Sequence, residues 1–393
     1  MTAQQAFDII KRDAATIYSE EGLHKKLTSG KKLRIKYGAD PSRPDLHLGH
    51  TVALRKLRLL QNLGHEIIFL IGDFTGMIGD PSGKSKTRTP LTFEETRANA
   101  QTYLKQLTKI IDKDKTRVVY NSDWLSKMNF ADVLKLAGKY TVARIMERDD
   151  FAKRYSENHS IGLHEIFYPL MQGYDSVELH ADIEIGGTDQ TFNMLVGREL
   201  QKDYGQESQE VITFPIIAGL DGVQKMSKSL DNYIGIDEEP GVMFEKCMKV
   251  PDSILYDYFR LTTDISEEIF STLIKTDIRR AHFEYANYTV GFYHSPQAAE
   301  DAQKRYNRVA SGQAPDSMTV YKVDMSQYPS GIKLTELVKS VGFTSSMSEA
   351  RRGIAGRGVR IDGVVIEDVD MIVTITEPFV LQFGKNKFVR VMG

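Results

Sequence analysis

The segment Tyr37-Gly-Ala-Asp-Pro-Ser-Arg-Pro-Asp-Leu-His-Leu-Gly-His50 joins a short apolar run to an amphipathic stretch. Residues 35–38 have the apolar character of a β-strand, and residues 48–63 carry apolar side chains at helical spacing. Two histidines therefore stand where a strand passes into a helix. The first turn of a helix has unpaired N–H groups and the positive end of the helix dipole, so this turn predicts an anion or phosphate site.

Strand and helix signals alternate through the first 230 residues. The predicted strands are residues 35–38, 67–71, 118–120, 183–185 and 211–214, and the predicted helices are 48–63, 93–111, 164–179 and 190–202. Such alternation predicts an α/β fold, a Rossmann-like parallel sheet with helices on both faces. Ligands of these folds bind at the carboxyl ends of the strands.

The pattern changes twice after the sheet. Phe244, Met248, Ile254 and Tyr258 recur at helical spacings, and residues 310–329 are rich in Ser, Gly and Pro, as in a linker. From residue 332 a stretch with helical periodicity is followed by residues with the alternating pattern of strands, which predicts a small α+β module. We therefore predict three domains, 1–235, 236–318 and 332–393.

Composition limits the classes of function. The 393 residues carry a net charge of −2, so any contact with nucleic acid must come from local patches. The single cysteine, Cys247, has no partner for an intramolecular disulfide, and a structural thiol is the preferred interpretation. No secretory signal is visible, and the longest apolar run, 67–71, is too short to span a bilayer. We expect a cytoplasmic protein that does not bind membranes.

A second motif, Lys225-Met-Ser-Lys-Ser229, follows a strand pattern. Two lysines three residues apart, with hydroxyls beside them, suit a triphosphate; alone, such a run is more often a solvated loop. Together with His-Leu-Gly-His it resembles the class I aminoacyl-tRNA synthetases. The resemblance implies that ATP is bound by His47, Gly49, His50, Lys225, Met226, Ser227, Lys228 and Ser229. It implies that the two histidines, Lys225 and Lys228 act in catalysis.

The run Gly79-Asp-Pro-Ser-Gly-Lys-Ser85 is not a phosphate-binding P-loop. That motif needs four residues between its glycines, and here there are three. The longer segment from Gly72 to Lys84 instead resembles the glycine-rich loop of the tyrosyl and tryptophanyl branch of class I synthetases. Pro41 and Pro44 stiffen the approach to the first motif.

The segment Phe167-Tyr-Pro-Leu-Met-Gln-Gly-Tyr-Asp175 predicts an amino-acid site. On a helix Tyr168, Gln172 and Asp175 share one face. The first two can meet an ammonium group, and Asp175 can accept a hydrogen bond from a phenol. The alternative is an ordinary amphipathic helix packed on the sheet. With Gly186-Gly-Thr-Asp-Gln190, this segment resembles the tyrosyl-tRNA synthetase family.

That resemblance runs through nearly the whole chain. It implies a tyrosine site formed by Lys36, Asp40, Asp80, Asn121, Tyr168, Gln172, Asp175 and Gln190. Lys36 departs from the better-known branch, which has a tyrosine there; Tyr37 is adjacent, but strand alternation points it to the opposite face. Such departures are similar to the second bacterial branch of the family. They leave open what besides Asp175 contacts the phenol.

The resemblance implies a ligase that activates tyrosine with ATP and transfers it to tRNA(Tyr). Mg²⁺ accompanies ATP, with no tightly bound cofactor and no metal site of its own, and a homodimer is implied. A tryptophanyl-tRNA synthetase is the first alternative, but it generally lacks the Gln-x-Tyr-Asp pattern. The second, a catalytically idle RNA-binding paralogue, would carry degraded motifs, and the motifs here are intact.

Residues 332–393 resemble the S4 RNA-binding domain, through residues 337–343, 346–353 and 359–363. Between residues 351 and 360 lie Arg351, Arg352, Arg357 and Arg360 and no acid. This run predicts contact with an RNA backbone, although a solvated helix face is the alternative. Lys385 and Lys387 extend the patch. The helical region, 236–318, is by resemblance an anticodon-binding domain.

Overall fold

A computed structural model describes residues 1–41, 45–82, 92–311, 313–314 and 318–393. Pro44, the end of the glycine-rich segment including Lys84, and part of the predicted linker lie outside these residues. The chain divides into two compact units, Met1–Glu238 with Lys246–Tyr285 and Glu239–Glu245 with Ala286–Gly393. The predicted three-domain boundaries stay a prediction.

The first unit is built on a sheet. Its strands are β1 (Thr16–Tyr18), β2 (Arg34–Ala39), β3 (Glu66–Ile71), β4 (Thr116–Tyr120), β5 (Ile183–Gly187) and β6 (Glu210–Phe214). Among the described residues the order is β1-β6-β5-β2-β3-β4. The last five pair in parallel, which confirms the predicted parallel sheet, while β1 pairs antiparallel with β6. β1 has only three residues, too few for a period-2 signal.

Helices cover the sheet. Those up to residue 203 are α1 (Ala3–Asp13), α2 (Glu20–Thr28), α3 (Leu48–Asn62), α4 (Thr75–Ile78), α5 (Phe93–Leu107), α6 (Ser122–Leu125), α7 (Phe130–Ala137), α8 (Val142–Ile145), α9 (Asp149–Ser156), α10 (Leu163–Leu179) and α11 (Thr191–Asp203). β3 is apolar and buried over five consecutive residues, as expected for a strand covered on both faces. The predicted helix 93–111 ends at Leu107.

The predicted helical region is helical. It contains α12 (Pro240–Cys247), α13 (Asp252–Thr262), α14 (Glu267–Thr276), α15 (Ile278–Tyr293) and α16 (Pro296–Ala310). Cys247 is fully buried, as expected for a structural thiol. Within the described ranges no helix is both long and apolar enough to cross a membrane.

The second unit carries the small α+β module. Its elements are β7 (Val320–Lys322), β8 (Ile332–Lys333), α17 (Leu334–Ser340), α18 (Met347–Ala355), β9 (Val359–Ile361), β10 (Val364–Ile366), β11 (Ile372–Val373), β12 (Phe379–Phe383) and β13 (Lys387–Met392). A sheet of order β10-β9-β12-β13-β7 packs with both helices around a core that includes Leu337, Ile354 and Leu381.

The carboxyl ends of the parallel strands converge in the first unit. Asp40 follows β2, Gly72 follows β3 and Asn121 follows β4, while β5 leads into Gln190. The chain moves from β2 towards β4 on one side and from β5 towards β6 on the other. A crevice forms where the direction reverses, between β2 and β5.

Candidate active site

A cleft of about 520 Å³ opens at this crevice. Most of the predicted ATP and tyrosine residues line it: Asp40, His47, Gly49, His50, Asp80, Tyr168, Gln172, Asp175, Gln190, Lys225, Met226, Ser227, Lys228 and Ser229. The lining also includes residues that were not predicted from the sequence: Asp45, Thr75, Tyr103, Asp189 and Ile216, together with Tyr37.

Asp175 is a buried carboxylate in the wall of the cleft. It is 1% exposed on α10, and its Oδ1 accepts a hydrogen bond of 2.8 Å from the indole N–H of Trp124. The Nδ2 of Asn121 donates to Oδ2 at 3.3 Å. Burial raises the pKa of Asp175 to about 7, although the Lys36 ammonium acts in the opposite direction. In its ionised form the Asp175 side chain can accept a hydrogen bond from a phenol, and the Trp124 indole orients it.

Trp124 was not predicted from the sequence, although Asn121, three residues earlier, was named as a tyrosine-site residue. Its position after a strand could have indicated it, because Asn121-Ser-Asp-Trp124 begins where β4 ends. The carboxyl ends of the strands in a parallel sheet meet at one edge, where ligands bind. Asn121 does not line the cleft. It is fully buried and links Asp175 to the Thr75 hydroxyl, which accepts from it at 3.0 Å.

Lys36, predicted among the tyrosine contacts, does not line the cleft, and its contact with tyrosine stays a prediction. It is fully buried, with Nζ 2.9 Å from Glu184 Oε1. It also donates to the Ser176 hydroxyl at 2.8 Å and to the Gln172 carbonyl at 3.0 Å. Strand alternation explains this position, since Lys36 faces α10 under the cleft while Tyr37 on the other face lines it.

Several polar side chains cluster at the part of the cleft beside α10. Tyr168 donates its hydroxyl to Asp40 Oδ2 at 2.8 Å, and Thr75 donates to Asp40 Oδ1 at 2.8 Å. Gly72 is required for this contact, because a Cβ there would lie 1.9 Å from Asp40 Oδ1. Gln172 Oε1 is buried and makes no hydrogen bond with the described residues. An acceptor beside carboxylates at a cleft wall suits a ligand ammonium group.

Asp80 and Gln190 form a second polar pair at the cleft. Gln190 Nε2 donates to Asp80 Oδ2 at 2.8 Å, and the backbone N–H of Ser82 donates to Oδ1 at 2.9 Å. Asn193 Nδ2 donates to the side-chain oxygen Oε1 of Gln190 at 3.3 Å, which fixes the orientation of the Gln190 amide. These two sequence-predicted residues are thus brought together from the segments that follow β3 and β5, the two strands that flank β2.

The two histidines stand at the start of α3, as the first motif predicts. His47 is the residue before the helix, and its backbone N–H donates to His50 Nδ1 at 3.2 Å. This bond leaves the His50 proton on Nε2. Burial, with repulsion from Lys228, lowers the pKa of His50 to about 4, and burial also holds the pKa of His47 far below its usual range. Both rings are therefore neutral donors at physiological pH.

Gly49 keeps the His47 ring close to the helix backbone. A Cβ at position 49 would lie 3.0 Å from two atoms of that ring. The two histidine rings are 4.0 Å apart between centroids, so they form one surface at the helix N-terminus. A ligand phosphate placed there meets both rings and the helix dipole.

The lysine loop is held over the same part of the cleft. Lys228 forms an ion pair with Asp45, and Lys225 lies 3.9 Å from Asp189. Asn232 anchors the loop, because its Oδ1 accepts from the Ser227 N–H at 2.8 Å. The loop therefore lies at the His47 end of the cleft, and two carboxylates balance its two cations.

The predicted RNA-binding arginines lie on the second unit. Arg351 pairs with Asp370 at 2.9 Å and Arg357 with Glu367 at 3.2 Å, all four side chains being largely exposed. Arg352 donates to Ser348 at 3.0 Å, and Arg360 is exposed on β9. The run between 351 and 360 has no acid of its own, but the following residues supply two. Exposed ion pairs are weak, so all four guanidinium groups remain accessible to a phosphate.

Comparison with known proteins gives two family matches. Residues 28–311 match the family described as tRNA synthetases class I (W and Y), and residues 333–377 match the S4 domain. A tyrosine–tRNA ligase from Deinococcus radiodurans is 49% identical over 395 residues, covering 99% of this chain and 96% of the relative. One from Carboxydothermus hydrogenoformans is 47% identical over 402 residues, covering 99% and 98%.

Solved structures share the fold. The tyrosyl-tRNA synthetase from Archaeoglobus fulgidus, complexed with L-tyrosine, is 26% identical with a TM-score of 0.61, covering 77% of this chain and 99% of that one. A C-terminally truncated mitochondrial tyrosyl-tRNA synthetase from Aspergillus nidulans is 20% identical with a TM-score of 0.67, covering 78% and 97%.

Proposed function

Because the chain belongs to the class I tRNA synthetases, and within them to the tyrosine–tRNA ligases, we propose that the cleft of the first unit binds tyrosine and ATP side by side. The enzyme activates tyrosine with ATP and transfers it to tRNA. The observation that carries the assignment of the cleft is Asp175, a buried acceptor in its wall. A phenylalanine ring would leave that acceptor unpaired, which costs about 1–3 kcal/mol for a neutral group and more for a charged one.

Tyrosine lies with its ring along α10 and its hydroxyl on Asp175. Its ammonium group meets the unpaired Gln172 oxygen and the Asp40 carboxylate that Tyr168 orients. Asp80 adds negative charge near the ammonium, and Gln190, which contacts Asp80, binds the polar backbone end of the substrate. This orientation is supported by α10 itself, on which the Gln172 acceptor lies near one end of the cleft-lining face and the Asp175 carboxylate near the other.

ATP lies over the start of α3. His47 and His50 donate to its phosphates as neutral imidazoles, and Gly49 leaves room for the His47 ring against the start of the helix. Lys225 and Lys228 exchange their carboxylate partners for the β- and γ-phosphates. Mg²⁺ enters with ATP as part of the substrate.

Activation is a displacement at phosphorus. A carboxylate oxygen of tyrosine attacks the α-phosphorus in line, the bond to the pyrophosphate oxygen breaks, and pyrophosphate leaves. A terminal ribose hydroxyl of the tRNA then attacks the carbonyl carbon of the adenylate, and AMP departs. The protein supplies position and positive charge where charge develops, and no protein nucleophile takes part.

The second unit contributes tRNA binding. The exposed guanidinium groups of Arg351, Arg352, Arg357 and Arg360 contact the tRNA backbone, while Lys385 extends the patch. We assign tRNA(Tyr) as the partner and the cytoplasm as the site of action, where translation uses the charged tRNA.

A homodimer is supported by exposed apolar side chains between residues 130 and 163. Phe130 is 77% exposed, Tyr155 72% and Val142 62%. Apolar side chains exposed on consecutive helices mark an interaction surface, and we assign it to a second copy of the chain. Phe130→Glu should then yield monomers in sedimentation analysis. Val364→Glu, at an exposed apolar position of the second unit, should leave dimers intact; monomeric wild-type enzyme would refute the assignment.

The function is tested by ATP–pyrophosphate exchange with each of the twenty amino acids, without tRNA. Exchange driven by tyrosine alone is expected, and Asp175→Asn should weaken it while leaving the KM for ATP unchanged. Exchange driven by tryptophan would keep the chemistry and overturn the assignment of Asp175. No exchange from folded enzyme with Mg²⁺ would favour an idle RNA-binding protein.

A further inference from the structure

A closed polar network lies directly beneath the cleft. Lys36 Nζ donates to Ser176 Oγ at 2.8 Å and to the Gln172 carbonyl at 3.0 Å, and it forms an ion pair with Glu184 Oε1 at 2.9 Å. Glu184 Oε2 accepts from the Ser176 hydroxyl at 3.1 Å and from Gln209 Nε2 at 2.5 Å. Lys36 and Glu184 are 0% and 2% exposed, so the network contains a fully buried ion pair.

Stability alone does not account for such a pair. Taking two charges out of water costs several kcal/mol per ion, and apolar residues of similar volume often serve as well or better. The position of the pair is informative instead. Gln172 and Ser176 lie one turn apart on α10, and Asp175 lies between them. The network therefore holds both ends of the helical turn that carries Asp175.

We propose that Lys36 and Glu184 are positioning residues that set the charge state and orientation of Asp175, and so the selection of tyrosine by its hydroxyl. This inference rests on the proposed function and deepens it. Neither side chain touches the substrate, because neither lines the cleft. Both act through Asp175: Lys36 favours its ionised form and Glu184 opposes it.

The groups that face Asp175 from the neighbouring elements are neutral or apolar, so Lys36 and Glu184 are the charges that act on it. α6 and the residue before it present neutral donors, the Trp124 indole and the Asn121 amide. α4 presents the Thr75 hydroxyl, which links Asn121 to the Asp40 carboxylate one hydrogen bond further away. α11 packs on this part of α10 through Val196, Gly197 and Leu200, and α7 through Leu136. Lys36 comes from β2 and Glu184 from β5.

The two charges act in opposite directions on one pKa. Burial raises the pKa of Asp175 to about 7, Lys36 lowers it and Glu184 raises it. Removing the Lys36 charge must therefore raise this pKa further, and removing the Glu184 charge must lower it. A carboxylate accepts from a phenol more strongly than a carboxylic acid does, so tyrosine binding follows the ionised fraction. Below the pKa, each pH unit lost weakens binding about tenfold.

The experiment uses the full chain with Lys36→Met, Glu184→Gln and the double variant. The kcat/KM for tyrosine is measured by ATP–pyrophosphate exchange between about pH 5.5 and 9, because this parameter reports ionisations of the free enzyme. The KM for ATP is measured in parallel and should not change. Lys26→Met is the matched control, because Lys26 is a buried lysine near Glu210 at the amino end of the same sheet.

We expect the rising limb of the tyrosine profile to move to higher pH in Lys36→Met and to lower pH in Glu184→Gln. The double variant should lie between them, and Lys26→Met should match the wild type. Shifts in the same direction, or lower kcat/KM with an unmoved limb, would reduce the pair to a structural role. If Lys36→Met does not fold, Glu184→Gln and the double variant decide. Wild-type exchange that ignores tyrosine would instead refute the proposed function.

Discussion

The Asp175→Asn variant should select tyrosine less well than the wild type. Its free energy of unfolding, relative to the wild type, should increase as the pH rises. An ordinary aspartate has a pKa of 3.8, and burial raises that of Asp175 to about 7. Its stabilising contribution is therefore fully present below pH 3.8 and is lost as the pH rises through about 7. The full loss is roughly 4 kcal/mol, and between pH 5 and 8 it is roughly 2–3 kcal/mol. Asparagine does not ionise and escapes this loss.

The assay is urea-induced unfolding followed by circular dichroism at pH 5 and pH 8. The free energy of unfolding of Asp175→Asn, relative to the wild type, should increase by up to roughly 2–3 kcal/mol between these pH values. Asp123→Asn is the control, because Asp123 is exposed on the neighbouring α6. A relative stability that does not change with pH, or that falls, would show that Asp175 is not forced to ionise in a buried site.

Three further outcomes are expected. His50→Ala should slow tyrosine activation roughly a hundredfold in pyrophosphate exchange with the KM for tyrosine unchanged, because the neutral Nε2 donor serves the phosphates; a raised KM for tyrosine alone would contradict this. Gln172→Leu should raise the KM for tyrosine and spare the KM for ATP, since an acceptor for the ammonium is lost; equal effects on both substrates would argue for general disruption. Arg360→Gln should weaken tRNA binding in filter assays and reduce its salt dependence while exchange stays normal; an unchanged salt dependence would remove Arg360 from the interface.

The sequence predicted those parts of the fold in which local signals agree with the final structure. Strands β2 to β6 are apolar runs, and α3 and α10 carry helical periodicity, so their positions followed directly. The motifs fall at strand ends and helix starts. Because such points converge in a parallel sheet, the cleft could be assembled from the sequence.

Other features depend on tertiary contacts that no local pattern encodes. β1 exists as an edge strand because β6 is available to pair with it. The resemblance implied that Lys36 contacts tyrosine, whereas its burial beside Glu184 depends on tertiary packing that no local pattern shows. Asp45 lies next to the histidine motif, yet its ion pair with Lys228 joins residues 183 positions apart.

Trp124 is the only tryptophan in the chain, and its indole N–H is hydrogen-bonded to Asp175. Its fluorescence, excited at wavelengths longer than those tyrosine absorbs, therefore reports from a single place beside Asp175, the residue proposed to bind the substrate hydroxyl. Loss or gain of the proton on Asp175 changes the charge next to the indole and should shift its emission. The enzyme thus carries an intrinsic optical probe, with which occupancy of the amino-acid site can be followed in real time without a label.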